Sequence, residues 1–102
     1  MKMLTVPHRG DPKATADRLR TIIRGGMAAA QSRQRNTGRR CGLNITVSLC
    51  GKLLRDTEVA PKLGINVWSL DSGMGVAKGI EDALVDLVNG DSIVIHLSAV
   101  VA

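Results

Sequence analysis

Leu43, Ile45, Val47 and Leu49 alternate with Asn44, Thr46 and Ser48, and this stretch constrains the fold more than any other. A period of two puts the four aliphatic side chains on one face of a β-strand and the polar ones on the other. A strand of that kind needs an apolar layer against one face and tolerates water on the other. Helices elsewhere in the chain are the natural source of that layer.

Two stretches have the matching helical period. Asp11 suits an N-cap and Pro12 the first helical position, and Ala16, Leu19, Ile22 and Ile23 then form one stripe. Gly25-Gly26 predicts the end of this helix, because two glycines carry a high entropy cost and favour a left-handed cap. Later, Asp71-Ser72 offers caps. Val76, Ala77, Ile80, Leu84, Leu87 and Val88 make a second stripe, Glu81, Asp82 and Asp86 mark its wet face, and Asn89-Gly90 is a stop signal.

The remaining segments read as extended chain or loop. Residues 1–11 form a short N-terminal arm, with Met3, Leu4 and Val6 in an edge strand that ends at Pro7-His8-Arg9-Gly10. Residues 31–42, with Gln31 to Arg40 free of apolar side chains, read as a mobile basic loop. Leu53 to Ala60 is a second extended stretch or a turn. Leu63, Ile65 and Val67, with Ser69, line one face of a further strand that has Asn66 and Trp68 on the other. Ile93 to Val101 reads as a strand buried on both faces. The expected fold is therefore a single α+β domain over residues 1–102: a small antiparallel or mixed sheet packed by two helices, with a mobile basic loop.

Composition limits how such a core is built. Phe and Tyr are absent and Trp68 is the sole aromatic residue, so the core must come from Leu, Ile, Val, Ala and Met. The stability margin of a lone subunit is expected to be thin, and a partner subunit would widen it. Charge is divided: residues 1–40 hold ten Lys/Arg against two Asp, a net of +8, and residues 41–102 hold four against seven acids, a net of −3. That division suggests an anionic partner such as nucleic acid, or head-to-tail contact between copies. No apolar run approaches the roughly 20 residues of a membrane span, and charges interrupt residues 1–20 where a secretory signal would need an apolar core. Cys41 and Cys50 alone make neither a disulfide scaffold nor a zinc site. Cys50 reads as a small buried hydrophobe, and a reducing cytoplasm fits best.

The chemistry-bearing candidates reduce to one. Gly73 to Gly79 has the spacing GxGxxxG and lacks the Ser or Thr that follows Lys in a phosphate loop; small residues there let a helix approach its neighbour closely. His8 and His96 have no partner at ligand spacing. Ser72 lacks the flanking glycines of a nucleophile elbow and suits a helix cap. No enzyme site and no cofactor site is expected. Arg33, Arg35, Arg39 and Arg40 remain, either as a solvated run or as phosphate contacts. With no aromatic residues interleaved among them, nucleic-acid contact through these arginines would be backbone-directed and non-specific.

Residues 45–69, ITVSLCGKLLRDTEVAPKLGINVWS, followed by the Ala-, Leu- and Val-rich stretch Val76–Val88, resemble the middle of tail terminator (tail completion) proteins of long-tailed bacteriophages. The likeness lies in a strand, a Gly/Arg-containing turn, a step ending in proline, a strand closing on Val-Trp, and a helix. It implies a small α/β virion protein, assembled in the host cytoplasm and located at the head–tail interface. It also implies a ring of six copies that stops tube growth and meets the major tail tube protein and the head–tail connector, without catalysis or cofactor. Arg33–Arg40 would then line the lumen, with transient DNA contact, or bridge subunits. Two departures stand beside the likeness: family members continue well past the final strand, and the basic stretch before the first strand has no counterpart. The rival expectations are a small basic nucleic-acid-binding module and a ribosome-associated RNA partner.

Overall fold

A computed structural model of the chain describes residues 2–49, 52–53, 64–83 and 92–102. The elements run β1 (Lys2–Pro7), α1 (Pro12–Thr37), β2 (Cys41–Leu49), β3 (Lys52–Leu53), β4 (Ile65–Val67), α2 (Leu70–Ala83) and β5 (Ser92–Val101). All strand pairs are antiparallel, in the order β1-β5-β2. Because β5 occupies one edge of β2 along its length, β4 (opposite Leu43–Ile45) and β3 (opposite Ser48–Leu49) share the other edge. β1 and β2 thus run parallel on either side of β5 and are joined by α1. β4 and β5 run parallel on either side of β2 and are joined by α2. The result is two interleaved split β-α-β units, an α+β fold with two helices on an antiparallel sheet.

Register makes the two faces of the sheet unlike. Val6 pairs with Ile93; Leu4, Ile95 and Val47 lie in one row, Leu97 and Ile45 in the next, and Leu43 faces Val67. These residues form the core with Ala16, Leu19, Ile23 and Met27 of α1 and Ala77 and Ile80 of α2. The opposite face carries Thr5, Asn44, Thr46, Ser48, Asn66, His96 and Ser98, each exposed or half-buried. Asn44 Nδ2 donates to Asn66 Oδ1 at 2.7 Å across that face.

α1 begins as its sequence suggests. Asp11 Oδ1 accepts from the backbone N–H of Lys13 and Ala14 at 3.1 and 3.3 Å, and Pro12 occupies the first turn. It does not end at Gly25-Gly26. The buried series Ala16, Leu19, Ile23, Met27, Ala30 continues through the glycines at helical spacing, and burial of that stripe outweighs the roughly 1 kcal/mol cost of each glycine. At Gly26 the missing side chain is itself a packing device, since a Cβ there would lie 2.8 Å from Leu43 Cδ2. The helix stops at Gly38, left-handed at φ 70°, whose N–H donates to Gln34 O at 2.9 Å. The expected mobile basic loop over 31–42 is accordingly corrected: residues 31–37 are helical, Gly38–Arg40 connect, and β2 starts at Cys41.

Two further expectations change. β5 is not buried on both faces: Ile93, Ile95 and Leu97 are buried while Val94, His96 and Ser98 are half-buried, because no second layer of described residues covers that face. At α2 the cap is Ser69 rather than Asp71-Ser72; Ser69 Oγ accepts from Ser72 N–H at 3.2 Å and Asp71 sits in the first turn. The arm over residues 1–11 does supply an edge strand, β1. Ile65 and Val67 face the core, and Asn66 faces away. The expectations for Cys50, Leu54–Leu63, Leu84, Leu87, Val88 and Asn89-Gly90 lie outside the described residues.

Candidate functional site

The arginine run is divided by the structure. Arg33 lies in the penultimate turn of α1 and Arg35 in the last. Two residues apart in a helix, their side chains diverge by roughly 200°. Thr37 Oγ donates to Arg33 O at 2.7 Å and accepts from the Arg39 N–H at 3.3 Å, which holds the turn that carries Arg39 and Arg40. Arg35, Arg39 and Arg40 are exposed and Arg33 is half-buried. None of the four forms an ion pair among the described residues. They surround the end of α1 as a cationic rim and do not form one row.

Arg40 and Trp68 form a pair that sequence reasoning missed. The Arg40 guanidinium carbon sits 4.6 Å from the Trp68 ring centroid, within cation–π range. Trp68 itself lies on Gly42, where a Cβ would come within 2.5 Å of Val67 O and 2.6 Å of Trp68 Cε3. The indole thus lies against both a glycine of β2 and an arginine separated from it by 28 positions in the chain. The only early signal was the pairing of Leu43 with Val67, which places Gly42 beside Trp68 and which periodicity alone does not reveal.

On the other face of the sheet, beside α1, a half-open cleft of about 460 Å³ separates the helix from the sheet. Leu4, Ile22, Leu43 and Leu97 give it apolar walls, Gly25 and Ala29 line the helix side, and Arg33 supplies the charge. The Arg33 Nε is buried and has no hydrogen-bond partner. Nothing in the sequence signalled this cleft, because it depends on a helix running past Gly25-Gly26.

The other candidates have structural roles. His8 is buried, and its Nδ1 is 2.7 Å from Thr15 Oγ. Thr15 Oγ also donates to Asp11 O at 3.1 Å, which ties His8 to the first turn of α1. His96 lies on the polar face of the sheet, opposite Met3 on one side and Thr46 on the other. Cys41 is buried and free. Its N–H donates to Gln34 Oε1 at 3.1 Å. Gly73 lies against Ile23, where a Cβ would be 3.1 Å from Cγ2; the small residue brings α2 close to α1 and lies past the first residues of the helix. No cluster of metal-ligating side chains occurs among the described residues. Part of the opposite charge of the two halves is satisfied within the chain: Arg20 of α1 pairs with both Asp17 and Glu81 of α2.

Comparison with protein-family models, with curated proteins and with solved structures finds no match for this chain.

Proposed function

We propose that this chain is a structural subunit that assembles edge to edge into a closed ring, and that the ring is a phage tail terminator. It caps the tail tube on one side and meets the head connector on the other, with six copies as the resemblance implies and with neither catalysis nor cofactor. The observation that carries the reading is the pair of unmatched sheet edges. Among the described residues β1 has β5 alone as neighbour, and at the far side β4 has β2 alone. β1 is antiparallel to β5, β5 to β2 and β2 to β4. A second copy continuing the sheet therefore places its β1 antiparallel to β4, in the same sense as every pairing within the chain. Such a contact is heterologous, and heterologous contacts close into rings when the rotation allows. The middle of that edge, Met3–Val6, carries no charge and Met3 is 62% exposed, with Lys2 and Pro7 confined to the two ends of the strand.

The test is the solution mass of the protein by light scattering, beside the variant Met3→Lys/Thr5→Lys. Both positions are exposed, so the variant keeps its fold. The reading expects a closed oligomer for the unaltered chain and a monomer for the variant. A monomeric unaltered chain that also fails to join tail tubes overturns it.

A second reading, a small nucleic-acid-binding module, is favoured by the Arg40–Trp68 stack, which sets a cation against the sole aromatic ring of the chain. It expects affinity for single-stranded DNA that falls steeply with salt and weakens when Trp68 is replaced by Leu. The assembly reading expects weak DNA affinity, with any lumen contact transient.

A further inference from the structure

The cleft beside α1 has the make-up of a ligand site. Its volume of about 460 Å³ falls in the range of small-molecule pockets, and its walls are aliphatic apart from a few polar groups. The polar group that stands out is Arg33. A buried guanidinium N–H without a partner costs free energy, and such groups in folded proteins are normally satisfied by protein, water or ion. The Nε itself is closed to solvent, so a ligand in the cleft meets the outer Nη groups of the half-buried Arg33, and a carboxylate accepts from these side by side. No Asp or Glu among the described residues fills that role.

The geometry points to a binding site for an unbranched aliphatic monocarboxylate, its tail along Leu4, Ile22, Leu43 and Leu97 and its carboxylate on Arg33. The space of about 460 Å³ leaves room for a tail of about ten carbons. Gly25 matters on the helix side. It lines the cleft, and a Cβ there meets nothing within 4 Å. A larger side chain at Gly25 therefore occupies the ligand's space without disturbing the core, and it raises helix propensity. This inference is independent of the assembly reading.

The test is titration of the full chain with decanoate, 1-decanol and decyltrimethylammonium, followed by backbone amide shifts and calorimetry. Decanoate is expected to bind saturably, at least tenfold more tightly than the alcohol, and to shift the amides of Gly25, Gly26 and Ser98. The ammonium compound is expected to bind least. Arg33→Gln should bring decanoate and decanol to similar affinities, and Gly25→Leu should abolish both while keeping the circular dichroism of the protein and not lowering its melting temperature. Absence of saturable decanoate binding overturns the proposal. So does equal binding of anion and cation, or an unchanged carboxylate preference in Arg33→Gln. If Gly25→Leu changes the oligomeric mass and decanoate does not bind, a neighbouring copy fills the cleft and the proposal fails.

Discussion

Gly25 and Gly26 adjoin in α1, yet a methyl group added at Gly25 meets open space, whereas one at Gly26 lies 2.8 Å from Leu43 Cδ2 and 3.5 Å from Leu97 Cδ1. Gly25→Ala is expected to raise stability by about 0.5–1 kcal/mol through reduced backbone entropy of the unfolded chain. Gly26→Ala is expected to lose most or all of that gain, because Leu43 is buried and has little room to yield. Urea unfolding of the two variants side by side reads the difference. Gly42 is more severe. Its missing Cβ faces the carbonyl oxygen of Val67 at 2.5 Å, and a backbone atom does not swing aside as a side-chain methyl does. Gly42→Ala is expected to cost about 1–3 kcal/mol and to change the fluorescence of Trp68, whose ring rests on that glycine. Unaltered emission with unaltered stability would refute the close contact of Gly42 with Trp68.

At the scale of elements, the alternation in β2, the N-cap at Asp11 and the stripe that starts α1 are local patterns, and each was legible as such. The length of α1 was not. Two adjacent glycines are a strong local stop, and what overrides them is the burial of Met27 and Ala30 against a sheet the helix meets only in three dimensions. Met27 and Ala30 do extend the spacing of Ala16, Leu19 and Ile23, so a periodic test run through the glycines finds the longer helix. The same error hid the cleft and misassigned Arg33 to a loop. β5 failed for a different reason: an unbroken apolar run fits a strand covered on both sides, yet burial here depends on whether a second layer exists. Arg20 joins the helices through Glu81, with side chains 26% and 23% exposed. A double-mutant cycle on Arg20→Ala and Glu81→Ala is expected to show a coupling of about 0.2–1 kcal/mol that shrinks in high salt. A coupling above about 2 kcal/mol would mean the pair is better shielded than its exposure implies.

For the whole molecule, the division of charge resolves into two parts. One is internal, where Arg20 meets an acid of α2. The other is the rim of Arg33, Arg35, Arg39 and Arg40 around the end of α1, left without acidic partners among the described residues. The absence of Phe and Tyr is matched by a core made almost wholly of aliphatic side chains among the described residues, to which a neighbouring copy, on the proposed reading, would add buried surface. The account's central claim is that copies join through β1 of one and β4 of the next, with their exposed faces aligned. Thr5 of β1 and Asn66 of β4 are exposed and lie on the same, polar face of the sheet. The most direct measurement is oxidative cross-linking of a Thr5→Cys/Asn66→Cys variant in which Cys41 and Cys50 are replaced by Ala. The account predicts a ladder of covalent oligomers that ends at the ring number, with neither single-cysteine variant progressing along it. Dimers from Thr5→Cys alone, with no ladder from the double variant, would show that β1 pairs with itself and would contradict the account.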